Sequence, residues 1–240
     1  MLRIHGLTIG YGGAPILEGI DLDVRAGEFV SLVGPSGSGK TSILRAVTGL
    51  VTPQAGTVAL DAGVPDVGFL FQDDALLPWR TARQNVALGL RIRGVAAAAA
   101  DHTAMEWLSR LGLNGFGDRF PRQLSGGQRK RVALAQVLAL KPKLLLMDEP
   151  FASLDAIVRM RITGELLGWV EREQMTVLLV THDLEEAISL SDTVYVLSQG
   201  PRATIRGRHD VGIERPRHVL ESRAHPRFAP LLQRLWDELT

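Results

Sequence analysis

The sequence predicts an α/β fold: a mostly parallel sheet covered by helices, an antiparallel β subdomain at the N-terminus, and a helical subdomain inserted partway along. Three observations predict it. Short apolar runs alternate with helical stretches in the second half of the chain, the pattern of a parallel sheet with helices on its faces. Near the N-terminus, apolar and polar residues alternate in short runs broken by glycines, which reads as antiparallel strands. From about Thr81 to Leu140 the period is helical and no strand signal appears.

Taken in order, Leu2-Arg3-Ile4-His5 and Ile20-Asp21-Leu22-Asp23-Val24 alternate, with Gly12-Gly13 and Ala26-Gly27 as breaks. Phe29-Val30-Ser31-Leu32-Val33 is nearly all apolar and ends in glycine, and helical spacing then starts at Thr41 with Ile43, Leu44, Val47 and Leu50. A buried strand therefore feeds a helix, which Gly49 and Pro53 end. Gly56-Thr57-Val58-Ala59-Leu60 and Val67-Gly68-Phe69-Leu70-Phe71 read as further strands. The helical block holds Asn85-Val86-Ala87-Leu88-Gly89-Leu90, an alanine run over 96–100 and Met105-Glu106-Trp107-Leu108; alanine is the strongest helix former. Strands return at Leu144-Leu145-Leu146-Met147, Val177-Leu178-Leu179-Val180 and Thr193-Val194-Tyr195-Val196-Leu197, with helices near 156–172 and 183–190. The tail, 213–240, reads as a loop with Pro216, Pro226 and Pro230 that ends in a short amphipathic helix. It is set apart from a main domain over 1–212. Its arginines suit either docking on the tail's own domain or contact with anionic lipid headgroups.

Composition narrows the function. The chain has 240 residues, 45% apolar and 22% charged, with 27 basic and 26 acidic side chains and a net charge of +1. That is a packed globular composition. Its richest apolar stretches, 132–140 and 144–147, are parted by Lys141, Pro142 and Lys143, and no window nears the roughly 18 apolar residues of a membrane span. Met1-Leu2-Arg3-Ile4-His5-Gly6 lacks the apolar region of a secretory signal, which predicts a cytosolic chain. Having no cysteine excludes disulfides and thiolate chemistry. Of the 27 cations only Lys40, Lys130, Lys141 and Lys143 are lysine, leaving 27 − 4 = 23 arginines, eight of them within 201–240 beside five acids. A nucleic-acid surface would need a stronger bias, so no nucleic-acid partner is expected.

Gly34-Pro35-Ser36-Gly37-Ser38-Gly39-Lys40-Thr41, followed by Ser42, matches the phosphate loop G-x-x-x-x-G-K-[ST] in its strand-then-helix setting. The core is therefore that of a P-loop NTPase. The glycines let backbone N–H groups curl around phosphate oxygens at a helix N-terminus, Lys40 reaches the β- and γ-phosphates, and Thr41 offers a hydroxyl to Mg²⁺. Asp148-Glu149 ends the apolar run 144–147. Carboxylates there sit where parallel sheets bind ligands, so Asp148 fits as the Mg²⁺-organising acid and Glu149 as the group that polarises the attacking water. Leu124-Ser125-Gly126-Gly127-Gln128 opens a helix and offers a second anion cradle. It lies in the inserted block, away from the first, so supply of the second cradle by a partner chain is the natural resolution.

In their order, the phosphate loop, Gln72, 124–128, Asp148-Glu149, Ser153-Leu154-Asp155 and Thr181-His182-Asp183 resemble the ATP-binding subunit of ABC transporters, from about Leu2 to Arg206. The resemblance implies ATP held with Mg²⁺ in a head-to-tail dimer, between one copy's phosphate loop and the other's Ser125, Gly126, Gly127 and Gln128. It implies that Tyr11 stacks on adenine, that Gln72 senses Mg²⁺ and the attacking water, that His182 contacts the γ-phosphate, and that Asp155 lies at the dimer seam. The stretch Phe71-Gln72-Asp73-Asp74-Ala75-Leu76-Leu77-Pro78-Trp79-Arg80, with Asn85-Val86-Ala87-Leu88 after it, resembles the nitrate, sulfonate and taurine import branch. Phe120-Pro121-Arg122-Gln123, Pro150-Phe151 and Ile188-Ser189-Leu190-Ser191-Asp192 fit the same branch.

That likeness implies a transmembrane permease docked around Gln72–Trp79, a periplasmic or extracellular solute-binding protein in the same system, and a place on the cytoplasmic face of the plasma membrane. Three departures blur the branch: a short segment between Val58 and Phe69, Ala152-Ser153 before Leu154-Asp155, and Ser198-Gln199-Gly200-Pro201 in place of a Pro-Gly turn. The expected function is the ATP-hydrolysing motor of an importer. The alternatives are an ABC-type ATPase with no transport role, and a regulatory module that holds nucleotide without turnover, against which Glu149 and His182 argue.

Overall fold

The computed structural model describes residues 1–61, 66–152 and 154–240. Two sheets share the work. Strands β1 (Leu2–Ile9), β2 (Leu17–Val24) and β4 (Ala55–Leu60) form an antiparallel sheet in the order β2-β1-β4. The larger sheet runs β5 (Val67–Leu70), β6 (Leu144–Asp148), β7 (Thr176–Thr181), β3 (Phe29–Val33), β8 (Thr193–Leu197) and β9 (Ile205–Asp210). Its first five strands pair in parallel, and β9 closes the edge antiparallel to β8.

The burial patterns explain the division. Every residue of β3, β6, β7 and β8 is buried, as in a sheet covered on both faces. β1 and β2 bury Leu2, Ile4, Leu7, Ile20, Leu22 and Val24 on one face only. That face closes a core with Val30 and Leu32 of β3, Ile43 and Leu44 of α1 (Lys40–Val47), and Leu144 and Leu146 of β6. On the other side of the sheet lies the inserted block of α2 (Ala82–Ile92), α3 (Ala97–Arg110) and α4 (Gly126–Leu138), followed after β6 by α5 (Ala156–Arg172). Val86, Trp107, Leu108, Val132 and Leu134 of this block bury against Met147, Val177 and Leu179 of the sheet.

The expected strands and helices of the sheet region form where the pattern puts them, including α5 over 156–172 and α6 (Leu184–Leu190). The C-terminal region differs from expectation. No strand was expected over 205–210, and a tail helix was expected only near the end. In the structure β9 is a strand, and α7 (Val219–Ala224) precedes α8 (Phe228–Leu239). Val211, Ile213, Phe228, Leu231 and Leu235 share a core with Val33 of β3 and Leu184 and Ile188 of α6.

Arg215, Arg217 and Arg223, tail arginines that suited lipid headgroups, pair with carboxylates of the main domain, Arg217 from a buried position. Arg217 donates to the carbonyls of Ile213 and Leu190, and pairs with Asp192. Arg215 also pairs with Asp192, and Arg223 pairs with Glu185. The charge of Asp192 is opposed by burial, yet the N–H of Phe29 and the two guanidinium groups hold its carboxyl below the usual carboxylate range. Residues 62–65 of the segment noted as short between Val58 and Phe69, and Ser153 of the Ser153-Leu154-Asp155 motif, lie outside the described residues.

Candidate functional site

The carboxyl ends of the parallel strands meet along one edge. The phosphate loop leaves β3 there, Gln72 follows β5, Asp148 and Glu149 end β6, and Thr181 and His182 end β7. This convergence is dictated by topology, because parallel neighbours all end on the same side.

The loop itself is built by glycine. Gly39 sits at φ +95°, and a side chain there would come within 2.9 Å of Leu17. At Gly34 an added Cβ would meet the carbonyl oxygen of Leu197 at 2.9 Å. Lys40 is buried and donates to the carbonyls of Gly34 and Pro35 at 2.7 and 2.8 Å, which arches the loop over its ammonium. Burial lowers the Lys40 pKa, while Glu149 and Asp148 work the other way. Ser38 is 1% exposed, and its hydroxyl has no hydrogen-bond partner among the described residues. A buried orphan hydroxyl in a loop of backbone amides fits a phosphate oxygen. Pro35, Ser36 and Gly37 form the more accessible crest of the loop. Tyr11, on the β1–β2 loop and 56% exposed, approaches its base, with the phenol oxygen 3.2 Å from the Ser42 hydroxyl.

Thr41 donates to Asp148 at 3.0 Å. Burial raises the Asp148 pKa, the Thr41 hydrogen bond opposes that rise, and the neighbouring Glu149 adds to it. The pair supplies two hard oxygens side by side, the kind of donor that suits Mg²⁺, which keeps most of its shell for phosphate and water. Glu149 has φ +42°, a conformation that costs a non-glycine residue about 1 kcal/mol or more and tends to persist at functional sites. Its N–H donates to the Val180 carbonyl, and its carboxylate lies 3.0 Å from His182 Nδ1. The strained backbone thus aims the carboxylate along the strand ends toward the histidine.

The structure brings Tyr11, 34–42, Asp148, Glu149 and His182 to one edge. Gln72 reaches the same edge, since Leu70 pairs with Met147 two residues before it, and its exposed side chain makes no hydrogen bond among the described residues. The remaining predicted residues form a second group. Ser125 caps α4 in a reciprocal box with Gln128, at 3.3 and 2.9 Å, so both side chains are engaged while the helix N-terminus stays open. Asp155 caps α5 by accepting from Val158 N–H at 3.0 Å. An added Cβ on Gly127 would come 2.8 Å from Val158, which ties the two caps together through one valine. No hydrogen bond or ion pair joins this group to the phosphate loop among the described residues.

Sequence reasoning missed two residues beside the site. Glu186 lines a small cavity with Glu149, Arg159, Thr181 and His182. Lys130 lies fully buried behind Gln72. The scarcity of lysine was the signal for the second; nothing in the sequence marked the first.

A phosphate loop on the carboxyl edge of a parallel sheet, with an acid pair and a histidine beside it, defines an ATP-hydrolysing protein of the phosphate-loop class. The comparisons with known proteins narrow that class. The chain belongs to the ABC transporter family, whose model matches residues 17–152. It is 41% identical over 236 residues to the bicarbonate transport ATP-binding protein CmpC of Synechocystis sp., covering 95% of this chain and 35% of that protein, so it spans about a third of that relative's length. It is 42% identical over 207 residues to the taurine import ATP-binding protein TauB of Yersinia pestis, covering 84% of this chain and 81% of that protein. Among solved structures, it matches the ATP-binding cassette MJ0796, a dimer in a post-hydrolysis state bound to ADP and phosphate. That match has a TM-score of 0.78 and 30% identity, covering 89% of this chain and all of that one.

Proposed function

We propose that the chain is the ATP-hydrolysing motor of an importer, acting as a head-to-tail pair of identical subunits beneath a separate permease. The observation that carries this reading is the Glu149–His182 pair, 3.0 Å apart and beside the phosphate loop. Phosphoryl transfer needs positioning and charge stabilisation more than covalent help, and this constellation supplies both.

In this reading Lys40 and the amides of 34–39 hold the β- and γ-phosphates, Ser42 and Tyr11 border the nucleoside side, and Tyr11 stacks on adenine. Thr41, Asp148 and Gln72 are the residues that would hold Mg²⁺, which when bound neutralises phosphate charge. Glu149 accepts the proton of the attacking water as the water oxygen bonds to the γ-phosphorus and the bond to the β–γ bridging oxygen breaks, releasing ADP. His182 steadies that carboxylate and faces the same phosphate. The second copy supplies the open α4 N-terminus of 125–128, and Asp155 lines the seam. Exposed apolar residues favour a partner there: Ile157, two residues beyond Asp155, is 81% exposed, and Met160 is also exposed.

No helix among the described residues is long and apolar enough to cross a membrane. In this reading solute passes through another chain, with this subunit held at the cytoplasmic face of the plasma membrane. The segment from Gln72 to Trp79 is the docking surface for the permease, with Trp79 70% exposed. A solute-binding protein outside the membrane completes the system. Relatives named for taurine and bicarbonate favour a small solute of the nitrate, sulfonate or taurine type.

Replacing Glu149 with glutamine tests the chemistry. Glu149→Gln should bind ATP as the wild type does, turn it over at least about a hundredfold more slowly, and accumulate as an ATP-bound dimer on size exclusion. Hydrolysis at the wild-type rate would overturn the assignment.

A further inference from the structure

Lys130 is one of four lysines in the chain and is fully buried. It stands on α4 just past the 125–128 turn. Its ammonium donates to the carbonyls of Gln72 at 3.1 Å and Phe71 at 3.4 Å, and lies 3.3 Å from Asp74 Oδ1. Three acceptors on one short segment occupy the three donors of the group. The other oxygen of Asp74 accepts from Arg129 Nε at 3.2 Å, and Arg129 Nη1 also donates to the carbonyl of Leu124, immediately before Ser125. Two successive cations of one helix therefore grip a single carboxylate and the backbone on either side of Gln72. A buried ammonium with all its partners in place does not slide, because each lost partner would leave a charge or carbonyl unpaired away from water.

We infer that Lys130, with Asp74 and Arg129, is a positioning residue that locks Gln72 and the 125–128 turn into one rigid body, so that the two nucleotide sites of a dimer are read together. The inference rests on the head-to-tail reading. Gln72 belongs to the nucleotide on its own phosphate loop, whereas 125–128 faces the partner's nucleotide. A shift of Gln72 on binding or hydrolysis at one site is then delivered to the other site through Lys130. The clamp needs no contact between Lys130 and ATP. It also stands directly behind the segment that carries Trp79, so a permease pushing on that segment would move the same body.

The test compares wild type, Lys130→Met, Lys130→Gln and Asp74→Asn in purified subunit. Binding of a fluorescent ATP analogue at concentrations too low for dimerisation should change less than about twofold in all variants. In Lys130→Met, ATP turnover should fall about tenfold, and the Hill coefficient for ATP should drop from about 2 toward 1. Lys130→Gln, whose amide can still donate to the Phe71 and Gln72 carbonyls, should recover most of the cooperativity. Asp74→Asn, which keeps the shape and removes the charge, should fall between, and it supplies the answer if Lys130→Met does not fold. A merely structural lysine would lower thermal stability and the active fraction and leave the Hill coefficient of the folded protein at the wild-type value; that result overturns the clamp. Wild-type subunit that neither dimerises with ATP nor shows cooperativity would overturn the head-to-tail reading first, and the clamp with it.

Discussion

At the scale of single residues, the site depends on a few atoms held where they would not otherwise rest. Glu149 keeps a positive φ because its N–H is fixed to β7 and its carboxylate to His182. One side chain away, burial pushes the Glu186 carboxyl up to about 7 from its usual 4.5, with the Thr181 hydrogen bond opposing and Asp183 adding to the rise. Its folded pKa lies above its unfolded one, so between pH 4.5 and 7 the folded chain holds a proton that the unfolded chain has released. Stability from this group therefore falls as pH rises through that window, by on the order of 3 kcal/mol, and levels off above it. Urea unfolding at pH 5 and pH 8 should show a larger loss of stability for the wild type than for Glu186→Gln. Equal losses would remove Glu186 as the cause. Gly127 offers a separate test. The 2.8 Å approach of a Cβ to Val158 should make Gly127→Ala cost about 1–3 kcal/mol, and denaturant midpoints will check it.

At the scale of elements, the C-terminal helices act as a buttress. Leu235 of α8 is completely buried in the core that includes Val33, the last residue before the phosphate loop, and Leu184, two residues after His182. Leu235→Ala should lower unfolding free energy by about 3 kcal/mol, and a destabilisation below 1 kcal/mol would mean that α8 rides loosely on the domain. The loop before α2 is organised differently, around one buried polar residue. Asn85 accepts from Leu77 N–H at 2.7 Å and donates to the carbonyls of Leu77, Arg80 and Thr81. Trp79 projects from that loop. Trp79→Ala should reduce co-purification with a permease far more than it reduces ATP binding, and unchanged permease recovery would move the docking surface elsewhere.

These two regions also show what the sequence could tell. The loop around Leu77 to Arg80 was marked by its composition, whereas β9 was not. Ile205-Arg206-Gly207-Arg208-His209-Asp210 has one aliphatic residue and alternates half-buried with exposed positions, as an edge strand does, so it carries no apolar run to detect. Its strand state comes from pairing with β8, a partner whose presence is a tertiary fact.

At the scale of the whole molecule, the parallel core was legible because β3, β6, β7 and β8 are buried on both faces and therefore read as unbroken apolar runs. The phosphate loop, Asp148 and Glu149 were legible because strand ends and glycine spacing mark them locally, whereas His182 was legible only through the order of motifs that resembles a family. The Lys130–Asp74 contact was not, since it joins residues 56 positions apart (130 − 74), and no local pattern records what a helix finds across that distance.

The way Asn85 is spent has a consequence for how such a motor would respond to its partner. Four hydrogen bonds already fix the loop under Trp79, so a docking chain would meet a surface shaped in advance and lose little disorder from this side on binding. A loop that ordered only on contact would absorb part of each push as folding. This one would transmit displacement like a stiff pin, from the proposed docking surface toward the edge that carries the phosphate loop.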